Sequence, residues 1–217
     1  MKEKKKAELK KETWELAQIL FLAQESLKIV EYLVKDEEDE NTVYSKKMNA
    51  FFVYSTSIYW RVIVIELSKL FSDNNKEHYN IHKFISKLKP DGYYGDASIS
   101  PSAIEIWEKA LVDNKDAISN LILQRNKVYA HTDKNSKEVP NKVTLTKTRE
   151  LIEVIQKIIR EIYITVFESS FMVDSPINAP VDNLKWIIET LAKEKTERET
   201  PLRRLAKVYG IKGEFKD

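Results

Sequence analysis

Thr146 to Phe171 reads TKTRELIEVIQKIIREIYITVFESSF, and Ile152, Ile155, Ile159, Ile162 and Val166 recur in it at alternating steps of three and four. That spacing puts all five on one face of a long helix. The same rule works upstream, where Leu16, Leu20, Ala23, Leu27, Val30 and Val34 form one stripe on a helix from Leu9 to Val34. The acidic run Asp36 to Glu40 ends that helix, because carboxylates are poorly placed at the negative end of a helix dipole. A second helix is expected from about Tyr44 to Phe71, apolar over much of its circumference as a central helix would be, and broken by Ser72-Asp73-Asn74-Asn75.

A short helix follows around Asn80 to Leu88, closed by Pro90 and Gly92, then a loop from Asp91 to Ser100 that carries Tyr93 and Tyr94. Ser100-Pro101 supplies an N-cap and a first-turn proline for the next long helix. That helix carries Ile104, Trp107, Leu111, Ile118, Leu121, Ile122 and Val128, and should fail near Ala130 to Asn135. Asp174 to Asp182 contains Pro176 and Pro180 and reads as a linker. Two smaller helices are expected beyond it, one capped by Asp182 and one opened by Thr200-Pro201 and ended by Gly210. No stretch alternates like a strand. The reading is all-α, an up-and-down helical bundle over residues 1–173 with a C-terminal helical extension over 174–217 packed on or beside it.

Composition agrees. With 42% hydrophobic and 32% charged residues the chain has enough apolar material for a core, and four Gly in 217 residues suit long helices. No Gly-rich phosphate loop occurs, and the absence of Cys excludes a disulfide framework, a thiolate nucleophile and Cys-ligated zinc. The start, Met1-Lys-Glu-Lys-Lys-Lys, lacks the apolar stretch of a secretory signal. The most apolar run, Phe51 to Leu67, is interrupted by Arg61 and falls short of the roughly 20 residues that span a bilayer. A cytoplasmic protein with no membrane partner is expected.

Three histidines are present. His78 and His82 are spaced as in helical zinc sites, but no Glu stands where a metalloprotease needs its base, and Asn80 looks like an N-cap that would leave His78 outside the helix. No metal or other cofactor is expected. The third lies in Leu121-Ile-Leu-Gln-Arg125-Asn126-Lys127-Val-Tyr-Ala-His131-Thr-Asp133. Counted on from Ile118, Leu121 and Ile122, Arg125 falls on the apolar stripe, where a guanidinium must reach a carboxylate, snorkel out or meet an anion at an interface. In one intact helix Arg125 and His131 lie on different sides, roughly 9 Å apart along the axis. A helix break before His131, or a second copy, would bring such groups together. The bland alternative pairs Arg125 with Glu66 of the second helix and makes His131 a C-terminal cap.

Arg125-Asn126 followed by His131 resembles the Arg-x(4–6)-His signature of the HEPN superfamily, and RNKVYAHTD resembles the form found in its AbiU-type, abortive-infection branch. Trp60-Arg-Val-Ile-Val-Ile-Glu66-Leu-Ser-Lys-Leu-Phe71 is similar to that branch's preceding long helix. The resemblance covers roughly Leu9 to Phe171. It implies an RNA-cleaving toxin or defence effector, a metal-independent endoribonuclease whose Arg and His come from both protomers of a homodimer.

The residue types suit that chemistry. Attack by a neighbouring 2′-OH needs a group that exchanges a proton near neutral pH, which His131 can do. It also needs a fixed cation facing the charge on the phosphoryl oxygens, which Arg125 supplies. The resemblance gives Asn126 a phosphate hydrogen bond. From its type and nearness, Asp133 could hold His131 in one tautomer. Lys127, Tyr129 and Lys134 are the candidate substrate-binding residues. Two features limit the transfer. Asp133 stands where some HEPN toxins carry a tyrosine that a partner nucleotidyltransferase modifies with AMP, which makes that route of neutralisation doubtful. Many superfamily members also keep the fold without cleaving, so a non-catalytic module binding RNA, a nucleotide or a partner protein is the alternative function, and a purely structural helical subunit is a third.

Charge distribution favours an RNA partner mildly. Arg125, Lys127, Lys134, Lys137, Lys142, Lys147 and Arg149 face only Asp133 and Glu138, a local charge of +5 in a chain whose total is +2. Tyr93 and Tyr94 either stack on unpaired bases or pack back onto their own domain. An antitoxin or defence partner protein completes the expected set of partners.

Overall fold

The computed structural model describes residues 1–36, 39–72, 79–129, 142–172 and 180–209. Its helices are α1 (Glu3–Val34), α2 (Glu40–Lys47), α3 (Ala50–Phe71), α4 (Ile81–Leu88), α5 (Pro101–Asp113), α6 (Lys115–Gln124), α7 (Leu145–Phe167) and α8 (Pro180–Val208). Among the described residues there is no strand.

Side-chain caps set most of the helix starts. The Asp39 carboxylate accepts from Thr42 N at 2.7 Å, Asn80 Oδ1 from Lys83 N at 2.8 Å, Ser100 Oγ from Ala103 N at 3.2 Å and Thr144 Oγ1 from Lys147 N at 3.2 Å. The expected starts at Asn80 and Ser100-Pro101 are therefore met. At the far end of α7, Glu168 turns left-handed at φ 50° and Ser169 N reaches back to Tyr163 O at 3.1 Å.

Three differences from the sequence reading change the number of helices. The helix expected from Tyr44 to Phe71 is two, because Asn49 folds its side chain onto Phe51 N at 3.0 Å and starts a new helix there. The helix expected through Val128 bends at Asn114, whose side chain donates to Ala110 O at 2.9 Å, and loses α geometry after Gln124. The two C-terminal helices are one, with Pro201 inside it. Thr200 does not cap a new helix; its hydroxyl donates back to Thr196 O at 2.7 Å, a contact made within a continuous helix.

The register of α7 against α1 is readable from paired contacts. Arg149 meets Glu31, Gln156 Nε2 donates to Gln24 Oε1 at 3.1 Å, and Lys10 lies over the Phe167 ring. Numbers fall on one helix as they rise on the other, so the two run antiparallel. Phe52 beside Ile29 and Leu33 gives α3 the same relation to the end of α1. The core lies between these helices, and the five apolar positions first counted on α7 are all buried, from Ile155 at 0% to Val166 at 8% exposure. On α1 the stripe shifts at its end: Leu33 is buried and Val34 is exposed.

A second, smaller apolar cluster of Ile29, Leu33, Phe52 and Ile188 seats α8 on α1 and α3. Asn41 Nδ2 donates to Thr196 Oγ1 at 2.8 Å, and the Lys195 ammonium sits over the Tyr44 ring, tying α8 to α2. The linker expected over Asp174 to Asp182 lies largely outside the described residues, and Asp182 sits in the first turn of α8.

Among the described residues one helix, α3, is long and apolar enough to cross a membrane by length and composition, with 22 residues and a mean hydropathy of 1.3 in its most apolar window. The helix extends to Phe71, past the shorter run read from the sequence. One side of it, Ile63, Val64, Leu67 and Leu70, is buried in the core.

Candidate functional site

Regular α geometry ends at Gln124, and Arg125–Tyr129 continues as a π-helical turn. Such single widened turns occur frequently at functional sites. Gln124, at 3% exposure, takes the inward position that the sequence assigned to Arg125, and Arg125 sits half-buried at the edge of that face. Arg125 Nη1 donates to Asn126 Oδ1 at 3.0 Å, so the two residues the motif pairs in sequence are joined in space.

Lys127 and Val128 face solvent, and Tyr129 is half-buried. The winding changes from α to π before His131, and the chain stays helical as far as Tyr129. His131, Asp133 and Lys134 themselves lie outside the described residues, as do His78 and Lys137. The expected helix failure near Ala130 to Asn135 falls there too.

The next helix in space holds the end of this turn. Arg61, exposed on α3, donates from Nη2 to the Tyr129 carbonyl oxygen at 2.8 Å across 68 residues of sequence. This residue was missed by the sequence reading, which noted it only as the interruption of an apolar run. Being the single charge between Ala50 and Ile65 was the available signal. The contact fixes the last turn before His131 against the rest of the bundle.

Beside Arg61 on α3, Trp60 and Tyr129 face a shared groove. Burial pushes the Tyr129 hydroxyl above its usual pKa of 10.0, and the positive charge of Arg61 and the nearby Trp60 N–H pull the other way. Trp60 Nε1 is buried and has no hydrogen-bond partner, so its approach to Tyr129 is a long contact rather than a bond. Glu66, further along α3, is buried and takes the Lys69 ammonium at 2.6 Å.

Other candidates resolve differently. Tyr93 and Tyr94 pack back on their own domain: Tyr93 donates to Glu8 Oε2 at 2.7 Å, and Tyr94, buried, to Glu12 Oε2 at 3.0 Å. The basic stretch is weaker than its sequence charge suggests. Lys147 is paired with Glu150 at 2.6 Å and Arg149 with Glu31, and Lys127 and Lys142 are exposed. His82 lies on the first turn of α4, which starts at Ile81 after the Asn80 cap.

A bundle of helices with no strand among the described residues is consistent with an all-α HEPN-like fold. The family model of AbiU2, a HEPN family, matches residues 6–185, most of the chain, and the chain belongs to that family. Comparison with curated proteins and with solved structures returned no match.

Proposed function

We propose that the chain is a metal-independent endoribonuclease that acts as a toxin or defence effector, as a cytoplasmic homodimer, with its site at Arg125 and His131. The observation that carries this reading is the widened turn itself. Arg125 is held half-buried by Asn126, and Arg61 fixes the carbonyl two residues before His131. Membership of an AbiU2 HEPN family supports the same class of activity.

In the reaction, the ribose 2′-oxygen attacks the adjacent phosphorus and the bond to the 5′-oxygen breaks. The products are a 2′,3′-cyclic phosphate and a free 5′-hydroxyl. His131 from each protomer exchanges the protons, one removed from the 2′-OH and one delivered to the leaving oxygen. Arg125 faces the charge that builds on the nonbridging oxygens. Asn126 and Lys127 add contacts to phosphate, Lys134 and Tyr129 bind the substrate strand, and Asp133 orients His131.

A second copy is supported by α3. Phe51, Tyr54 and Ile58 are 67%, 68% and 38% exposed on one side of that helix, and the stripe leads directly to Arg61. A neutral aromatic stripe beside the motif suits association with its own copy, since a charged partner would find no complement there. An antitoxin or other defence protein is the remaining expected partner.

The test is cleavage of total RNA by the purified protein in excess EDTA, with matched DNA as the control lacking a 2′-OH. Folded His131→Ala and Arg125→Ala variants should each lose about 10²–10⁴-fold in rate. Products should end in cyclic phosphate. Intact RNA with the wild-type protein would favour a non-catalytic module that binds RNA, a nucleotide or a protein. Cleavage that survives both substitutions would place the activity elsewhere.

A further inference from the structure

Val30 and Val34 of α1, Thr56, Ser57 and Trp60 of α3, Tyr129 of the widened turn, and Val143 and Leu145 at the start of α7 enclose an open groove of about 560 Å³. We propose that this groove binds one unpaired nucleobase of a single-stranded RNA, next to the phosphate held by Arg125. The assignment rests on the ribonuclease reading and adds a base-binding subsite to it.

Three features point to this occupant. The lining is apolar with two aromatic side chains, Trp60 and Tyr129, both half-buried and so partly presented to the groove. Aromatic faces of this kind hold splayed-out bases whatever their identity. The few polar side-chain groups are the Thr56 and Ser57 hydroxyls, which donate to Phe52 O and Val53 O and keep acceptor capacity, the Trp60 indole N–H and the Tyr129 hydroxyl. The Tyr129 hydroxyl, like any tyrosine's, is protonated at neutral pH and is a donor for a base carbonyl or ring nitrogen.

Charge supplies the remainder of the argument. No lining residue is acidic, Glu31 next to Val30 is paired with Arg149, and Lys142 next to Val143 is an exposed cation. An apolar slot with no acidic lining and an exposed lysine next to it in the chain matches a nucleotide, whose base is flat and nearly uncharged and whose flanking phosphates are anionic. An apolar peptide segment would leave Lys142 without complement. Tyr129 also belongs to the turn that begins at Arg125, so a base in the groove and a phosphate at Arg125 are neighbours on one strand.

The test uses fluorescein-labelled 2′-O-methyl RNA octamers, which cannot be cleaved through a 2′-OH, in a set where a single abasic site is stepped through each position. Binding is read by fluorescence anisotropy, and cleavage of unmodified RNA is measured in parallel. The wild-type protein should lose about tenfold in affinity for the octamer abasic at one position, the order expected for one stacked base. Ser57→Phe, which fills the groove from its exposed rim, and Tyr129→Ala should each weaken the intact octamer about tenfold and leave that abasic octamer unchanged. Circular dichroism and light scattering check that fold and oligomeric state are retained. Equal affinity for intact and abasic octamers, or full affinity in Ser57→Phe, overturns the groove assignment while RNA cleavage leaves the nuclease reading standing. Absence of both binding and cleavage overturns the two together.

Discussion

Where α1 begins, the loop before α5 is bound tightly to it. Glu12 accepts the Tyr94 hydroxyl and takes the Lys87 ammonium at 2.6 Å, Glu8 takes Tyr93, and the two tyrosine rings meet edge-on at 4.9 Å. The turn beneath them is so close that a Cβ on Gly95 would lie 2.3 Å from the Pro90 carbonyl oxygen. Where α1 ends, Val30 and Val34 border an open groove, the Trp60 indole N–H has no hydrogen-bond partner, and the neighbouring helix is wound as a π turn. One long helix thus has a closed end and an open end. The difference indicates a division of labour, with polar satisfaction and close packing at one end holding the bundle and half-buried rings around an open groove at the other offered to a ligand.

The strongest challenge to that division is a substitution in the closed part that should affect stability first. Ile159 is fully buried among the helices. Ile159→Ala should destabilise the protein by about 2–5 kcal/mol in chemical denaturation, through lost transfer energy and the cavity left behind. A cost below about 1 kcal/mol would mean that the core there relaxes freely and that the closed region is no better packed than the open one.

Arg61→Ala tests the open end from the other direction. The side chain is exposed, so its loss should change the melting free energy by less than about 1 kcal/mol. The carbonyl of Tyr129 loses its anchor, however, and RNA cleavage should fall about tenfold through kcat with KM little changed. Arg61→Lys should restore part of the rate, because an ammonium can reach the same oxygen with poorer geometry. A fall in stability that matches the fall in rate would make Arg61 an ordinary structural residue.

The sequence exposed the closed part of the molecule far better than the open part. Periodic burial is a local pattern, so Ile152 to Val166 and the caps at Asn80 and Ser100 could be read by counting. Signals that compete within a few residues were harder. Asn49 capped a helix where continuity was expected, and Thr200-Pro201 stayed within one helix where a new start was expected. At the site, the pairing of Arg125 with Asn126 was legible as a motif. The change of winding at Arg125 was not, because nothing in RNKVY marks a π turn. Arg61 escaped for a different reason: its partner lies 68 residues away, beyond any local rule.

The smallest effects separate the two ends most directly, because each contains a tyrosine whose pKa is raised. For Tyr94 the main cause is burial, with the negative charge of Glu12 next and the hydrogen bond to it after that. For Tyr129 it is burial, opposed by Arg61. A raised folded pKa means that the unfolded chain ionises first. The stabilisation is complete below the unfolded value near 10 and is lost as pH rises from there toward the folded value. Wild-type stability should therefore decline above about pH 10, and Tyr94→Phe should flatten that decline more than Tyr129→Phe. At pH 7 the order of cost should be the same. Tyr94→Phe removes a hydrogen bond to a carboxylate and should cost about 1–2 kcal/mol. Tyr129→Phe removes only a long contact to Trp60 and should stay within about 0.5 kcal/mol. Guanidinium melts of the three proteins at pH 7 and pH 10.5 measure both quantities at once. Equal costs would show that the hydroxyl of Tyr129 is as firmly held as that of Tyr94, and the open end would then have no donor to offer a base.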